Sequence, residues 1–294
     1  MINPHFDHNR IIWDDAYSGE YKPVDYSVQF DDQWRLFLEK ETGFHNHTGV
    51  ETDDEWIDDR IFELTGTSGI LIKDKKNNDK RRSIGGLLTL EPKYPVNFFK
   101  NKHCIDIGCG AGRWTKALKI LGAEVKSTDV SKHGLESVKR FNEDVEILNL
   151  FDILDKRKDL HQSFDFTLSW GVLMCTHDPK KAFENIAATV KPGGHLYIMV
   201  YAPTYHNSEQ VLSWRKQYHN DFNTFEERLE FARSISKDPK NLINYLDMLN
   251  TFYNWVIPEE VAHNWFSEAG FKDVVTLNGN EKNNCAWHVR GIKG

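Results

Sequence analysis

The sequence predicts an α/β fold: a doubly wound, seven-stranded sheet, with a helical extension before it and a helical cap inserted after its fifth strand. Three observations carry that expectation. A short apolar run, Cys104-Ile105-Asp106-Ile107, passes straight into Gly108-Cys109-Gly110-Ala111-Gly112. From there to Tyr201, strand-like and helix-like segments alternate, which is the pattern of parallel βαβ units. After an interruption, residues 258–291 close the chain with one more helix and two more strands.

Each element has its own local reason. Residues 1–100 read as a mainly helical extension covering the active site. Asp31 to Lys40 sets Trp34, Phe37 and Leu38 at helical spacing behind acidic residues that suit a helix start. Asp53 to Leu64 repeats the arrangement with Trp56, Ile57, Ile61 and Leu64, and Gly66 ends it. Core packing is the expectation for these aromatics. Lys73 to Arg82 reads as a solvated loop and Gly85-Gly86 as a break. The core, 101–294, begins with the strand at Cys104. A helix through Trp114, Leu118 and Leu121 follows, then a strand from Ala123 to Thr128 ending at Asp129, with Ser131 as the N-cap of the next helix. Val145 to Asn149 and Phe164 to Ser169 are the third and fourth strands. Pro179 to Val190 is a helix with proline in its first turn, Lys191-Pro192-Gly193-Gly194 a turn, and His195 to Tyr201 the fifth strand. The interruption, 203–257, is helical and rich in aromatics, as befits a cap. Phe271 to Leu277 and Cys285 to Gly291 are the closing strands.

Composition narrows the function class. Acidic residues outnumber basic ones, 44 to 37, for a formal net charge of −7. A nucleic-acid binder carries a basic face, and only the 73–82 stretch is basic here. No apolar run approaches the roughly 18–20 residues that cross a bilayer, and the polar start lacks a secretory layout. Cytoplasmic residence is expected, with no nucleic-acid or membrane partner. Cys104, Cys109, Cys175 and Cys285 show no paired CxxC spacing, so they read as reduced thiols. His5 with His8, and His45 with His47 near Glu51, Asp53 and Asp54, lack the spacing of a known metal centre, and no metal is expected.

The glycine loop carries the chemistry. Glycines let the backbone turn sharply and let a ligand lie against the main chain, while the next helix offers free N–H groups. The spacing Gly108-x-Gly110-x-Gly112 differs from the G-x-G-x-x-G of dinucleotide folds, which argues against a dehydrogenase. Asp106 sits before the loop, where a carboxylate suits a ligand's ammonium group. Asp129 ends the second strand about 20 residues on, where an acidic side chain accepts ribose hydroxyls.

The series Asp106-Ile107-Gly108-Cys109-Gly110-Ala111-Gly112-Arg113, Asp129-Val130-Ser131, Phe164-Asp165-Phe166 through Gly171-Val172-Leu173, and Lys191-Pro192-Gly193-Gly194 resembles the class I S-adenosylmethionine-dependent methyltransferases, which have a Rossmann-like sheet. Trp265-Phe266-Ser267-Glu268-Ala269-Gly270-Phe271 is similar to that family's last helix and strand. Tyr26-Ser27-Val28-Gln29-Phe30, Gln33-Trp34 and Arg60 to Gly66 resemble bacterial members associated with glycan and small-molecule pathways. The resemblance implies S-adenosylmethionine as cofactor. It implies that Gly108, Cys109, Gly110 and Gly112 line its methionine and ribose part, with Asp106 near the amino group. Asp129 and Val130 would meet the ribose. Asp152, beside Phe151 and Ile153, would accept from the adenine amino group, with Asn149 as the competing alignment. Ser169 and Trp170 would face the sulfonium.

The acceptor side is less marked. Relatives commonly carry histidine at one or both of the positions held here by Met174 and Cys175. His177, Tyr201 and His206 are the remaining candidates for a catalytic base or a substrate contact. The leading expectation is methylation of oxygen or nitrogen on a small metabolite or sugar. The alternative is a non-catalytic cofactor-binding subunit serving as an interaction module. Methylation of nucleic acid is disfavoured by charge, and by Ser169-Trp170-Gly171-Val172 standing where an Asn/Asp-Pro-Pro-aromatic tetrad would be. Oligomeric state stays open, a homodimer being one option.

Overall fold

A computed structural model describes residues 23–38, 54–67, 90–203, 208–236, 242–279 and 285–294. Its strands are β1 (His103–Ile107), β2 (Glu124–Asp129), β3 (Val145–Ile147), β4 (Phe164–Trp170), β5 (Val190–Tyr201), β6 (Phe271–Thr276) and β7 (Ala286–Lys293). They form one sheet in the order β3-β2-β1-β4-β5-β7-β6. The pairs β1–β2, β1–β4, β2–β3 and β4–β5 are parallel. The pairs β5–β7 and β6–β7 are antiparallel, β7 slotting between β5 and β6. The order reverses between β1 and β4, and in open α/β sheets that crevice is where ligands bind.

The helices among the described residues are α1 (Tyr26–Leu38), α2 (Asp54–Thr65), α3 (Arg113–Ile120), α4 (Lys132–Val138), α5 (Ile153–Lys156), α6 (Pro179–Ala187), α7 (Glu209–Asn220), α8 (Phe225–Ser236), α9 (Leu242–Leu249) and α10 (Glu259–Glu268). One apolar cluster joins Ile105, Ile107 and Ile198 to Phe183, Ile186, Trp265 and Phe266 of α6 and α10. A second joins Cys104, Phe166 and Tyr197 to Ile57, Ile61, Trp114 and Leu118 of α2 and α3. Along β1, Cys104 faces the second cluster and Ile105 and Ile107 the first, so the sheet is covered on both faces. A third cluster packs Leu36 and Phe37 of α1 among Val211, Tyr218, Leu229, Leu246 and Leu249 of α7, α8 and α9. The extension and the insertion thus share a core.

Several boundaries differ from expectation. Helix α1 begins at Tyr26, not Asp31, because the Asp25 carboxylate accepts from the Ser27 backbone N–H at 3.1 Å. Its buried stripe includes Gln29 and Gln33 beside Tyr26, Leu36 and Phe37. Strand β3 stops at Ile147 because Asn149 turns its side chain onto the Phe151 N–H at 3.1 Å and starts a 3₁₀ turn, Leu150–Asp152. Helix α6 stops at Ala187, since Val190 already pairs with Phe164, and the Lys191–Gly194 segment lies inside β5 at a register shift. Ser131 caps α4 as expected, accepting from Gly134 N–H at 3.1 Å. Gly66 ends α2 with a left-handed φ of 71°. The basic stretch 73–82, Gly85-Gly86, and the histidine pairs at 5/8 and 45/47 lie outside the described residues. No helix among the described residues is long and apolar enough to cross a membrane.

Candidate cofactor and acceptor site

The glycine loop leaves β1 at the carboxyl edge of the sheet. Gly108 and Gly110 have φ of 75° and 54°, a region that side chains with a Cβ avoid. Space excludes other residues as well. A Cβ on Gly108 would come within 2.3 Å of Val172 Cγ2, and one on Gly110 within 2.2 Å of Trp34 Cζ2. The loop is pinned to β2 by Gly108 and Cys109 N–H donating to Thr128 O at 2.7 and 3.0 Å. Gly112 is the N-cap residue of α3 and makes no side-chain cap, leaving the first-turn N–H groups of that helix toward the loop.

Asp129 sits at the end of β2, 7% exposed. One carboxylate oxygen accepts from Gly110 N–H and the other from Ser131 N–H, both at 2.8 Å. Burial raises its pKa, against those backbone donors. An ionised carboxylate has about four acceptor sites, so capacity remains for a hydroxyl beside the backbone donors. Asp106 is buried on β1 and accepts from Thr115 Oγ1 at 2.8 Å; burial pushes its pKa up to about 7. Val130, Phe151, Asp152 and Trp170 are half-buried along the same edge, and Ile153 is buried behind them. Phe151 lies in the 3₁₀ turn, its ring 4.4 Å from His177. Asp152 pairs with Lys156 at 2.8 Å. Ser169 Oγ donates to Ile107 O at 3.1 Å, bracing β4 on β1. Cys109 turns its side chain away, packing with Leu135 and Val138. The edge thus brings together a glycine-only cradle, a doubly oriented carboxylate and half-buried aromatics, a donor set that fits a nucleoside carrying an amino-acid arm.

The catalytic candidates fall at different places. The His177 ring is held at Nδ1 by the Tyr26 hydroxyl, which also accepts from His177 N–H at 2.8 Å. Burial lowers the His177 pKa. Tyr201 is half-buried at the end of β5, and its hydroxyl is pushed well up by burial. His206 lies outside the described residues. Met174 and Cys175 are buried in a 3₁₀ turn, so the turn after β4 offers packing at the positions where the resemblance implies imidazole.

Several charged and aromatic side chains to which the sequence reading gave no site role surround the same edge. Trp34 packs on the third cluster as expected, and its half-buried ring also lies on Gly110. The neighbouring Asp31 accepts from Ser131 Oγ at 2.7 Å. Arg113, the residue directly after the loop, sets its guanidinium 5.0 Å from the Trp170 ring centre. Arg60 lies 5.7 Å from that ring and pairs with the buried Glu63 at 3.0 Å. Asp247 of α9 accepts from Gln33 Nε2 at 2.5 Å. Arg113 stands beside the loop in sequence, directly after Gly112. The others come from α1, α2 and the cap, and folding brings them in. Among the described residues no cluster of three or more His, Cys, Asp or Glu stands ready for a metal.

Residues 79–276 match the family described as Methyltransferase domain. A Coxiella burnetii protein named ubiquinone biosynthesis O-methyltransferase is 35% identical over 101 residues, which is 33% of this chain and 43% of that protein. The mitochondrial ubiquinone biosynthesis O-methyltransferase of Arabidopsis thaliana is 23% identical over 189 residues, 58% of this chain and 56% of that protein. The matches therefore span about half the length of these curated relatives. Among solved structures, an O-methyltransferase family protein from Burkholderia thailandensis aligns at 15% identity with a TM-score of 0.49, over 93% of this chain and 64% of that one. With the family match covering more than half of the sequence, and the loop, β2 carboxylate and strand order as described, the chain belongs to the methyltransferase domain family, of the class I, S-adenosylmethionine-dependent kind.

Proposed function

We propose that this protein transfers the methyl group of S-adenosylmethionine to an oxygen or nitrogen of a small molecule. The observation that carries the reading is the paired arrangement of the Gly108–Gly112 cradle and Asp129, whose two oxygens are already aimed by Gly110 and Ser131 N–H. The curated relatives' names support oxygen as the acceptor atom. Bound there, the cofactor supplies an electrophilic methyl on a cationic sulfur, so the protein's task is alignment and exclusion of water. In this reading the glycine backbone lies against the methionine and ribose part and Asp129 holds the ribose hydroxyls. Asp106 is near the amino group. Val130, Phe151 and Ile153 pack the adenine, with Asp152 at its rim, while Ser169 and Trp170 stand at the reacting end. Residues 1–100 and 203–257 act as the cover, and His177 and Tyr201 are candidate acceptor contacts. A small-molecule partner and a cytoplasmic setting fit the four unpaired cysteines and the net charge of −7.

Calorimetry with S-adenosylmethionine tests the site. Asp129→Ala is expected to weaken binding by about 1–3 kcal/mol, roughly 10- to 100-fold. Gly110→Arg is expected to abolish it, because a side chain there meets Trp34. Wild-type affinity in both variants would overturn the assignment. Labelled donor incubated with catechols, phenols, amines and sugars then identifies the acceptor; incorporation into none of them would favour a binding subunit over an enzyme.

A further inference from the structure

We propose that Asp247, on cap helix α9, faces the reacting methyl and takes the proton of the acceptor hydroxyl. This rests on the methyl-transfer reading above. The placement follows from a chain of contacts through α1. Trp34 lies on Gly110, the middle of the cofactor loop, and the residue before it, Gln33, donates from Nε2 to Asp247 Oδ1. Gln33 cannot turn its amide the other way, since its Oε1 accepts from Asn250 Nδ2 at 2.9 Å. Asn250 in turn accepts from the Tyr218 hydroxyl at 3.0 Å. The α9 end is fixed besides by Arg215 donating to the Met248 and Thr251 carbonyls and by His219 on Leu249 O. One Asp247 oxygen is thus held by the residue that precedes Trp34 on α1. Among the described residues, the other has no hydrogen-bond partner, and the side chain is only half-buried despite lying between α1, α3 and the cap.

The charges around it favour the role. Arg113 from α3 is the cation that acts on Asp247. Cys175 after β4 and Tyr201 at the end of β5 also feel its charge. Burial takes the Cys175 thiol up to about 12 and the Tyr201 hydroxyl well above its usual range, and leaves Arg113 at about 10. None of these changes charge between pH 5 and 8. Asp247, raised by burial to about 6, does, and it is largely ionised at neutral pH, as a base must be. In the step itself the acceptor O–H proton passes to Asp247 Oδ2. The oxygen's electron pair forms the bond to the methyl carbon, and the pair of the breaking S–CH₃ bond stays on sulfur.

A carboxylate facing the sulfonium attracts S-adenosylmethionine but not the neutral thioether S-adenosylhomocysteine. Asp106 and Asp129 meet parts that both ligands share, so the difference between the two isolates Asp247. The two affinities are measured by calorimetry from pH 8 to pH 5 for wild type and Asp247→Asn, whose amide oxygen still accepts from Gln33. In wild type, affinity for S-adenosylmethionine should fall relative to the thioether by up to about tenfold as pH drops through 6. In Asp247→Asn the ratio should stay flat. A flat ratio in wild type, or an equal slope in both proteins, overturns the proposal. With a catechol acceptor, Asp247→Asn should lose about 100-fold or more in transfer rate at pH 7.5, and a wild-type rate overturns the base role. If wild type labels no acceptor, the transfer reading fails, and the affinity ratio alone decides where Asp247 faces.

Discussion

At the scale of single residues, the site rests on carboxylates held in low-dielectric surroundings. Asp106 is the clearest case. It is 1% exposed, and its folded pKa of about 7 lies above the model-compound value of 3.8. Between those pH values the folded state keeps a proton that the unfolded state has lost. The stability this group provides is therefore present at low pH and is lost as pH rises through about 7. Asp106→Asn keeps an acceptor for Thr115 and removes the buried charge. Its thermal midpoint should exceed that of wild type at pH 8 by an amount on the order of 2 kcal/mol in stability, with the gap closing toward pH 5. Parallel pH profiles for the two proteins would show that Asp106 does not titrate in this range. Asp106, Asp129 and the glycines were legible because their neighbours in sequence are also their neighbours in space. The pairing of Asp247 with Gln33 was not, because the two lie far apart in the chain.

At the scale of elements, α1 couples the cofactor loop to the cap. Its Asp31 reaches Ser131 and His133 at the start of α4, its Trp34 lies on Gly110, and its Gln29 and Gln33 bind Phe252 and Asn250 of the cap side. The amphipathic spacing of Trp34, Phe37 and Leu38 foretold a helix here. It did not foretell that the buried stripe would include two glutamines, since a buried amide is tolerable only with partners that folding supplies. Trp34→Ala should leave the sheet intact, weaken cofactor binding several-fold, and raise hydrogen exchange in α1 by about tenfold, matching about 1 kcal/mol of lost docking. Unchanged exchange in α1 would mean that its hold comes from the polar contacts alone. The last residues of the cap are tied down similarly, with Trp255 donating from its backbone and its indole to Met174 O and Thr176 O, and Ile257 N–H to Tyr201 O. These bonds bind the insertion to the ends of β4 and β5, where the acceptor would lie.

At the scale of the whole molecule, helices α7, α8 and α9 share one apolar cluster with α1, while Tyr253, Trp255 and Ile257 at the end of the cap join the core of the sheet. Arg215 is the central support of the cap: 1% exposed, it donates to the carbonyls of Met248 and Thr251, and burial draws its pKa down to about 10. Arg215→Ala should cost about 3–5 kcal/mol by leaving those carbonyls unmet. Melting should then resolve into an early cap transition and a later sheet transition, read by tryptophan fluorescence and far-ultraviolet dichroism together; one coincident transition would show the two cores to be cooperative.

The sequence by itself determined the sheet and the glycine loop with its strand-end aspartate. Alternating strand and helix patterns dictate parallel βαβ units, and glycine spacing with a strand-end aspartate is a local signal, complete within about 25 residues. Only the tertiary structure decided which strand β7 pairs with, that α1 shares a core with α7, α8 and α9, and that Gln33, Arg113, Trp170 and Asp247 converge on one place. The physical reason is that most of those relations join positions distant in the chain, up to 214 residues apart for Gln33 and Asp247. They are fixed by which apolar faces and buried hydrogen-bonding groups satisfy one another once the chain is compact, and local pattern carries no record of that.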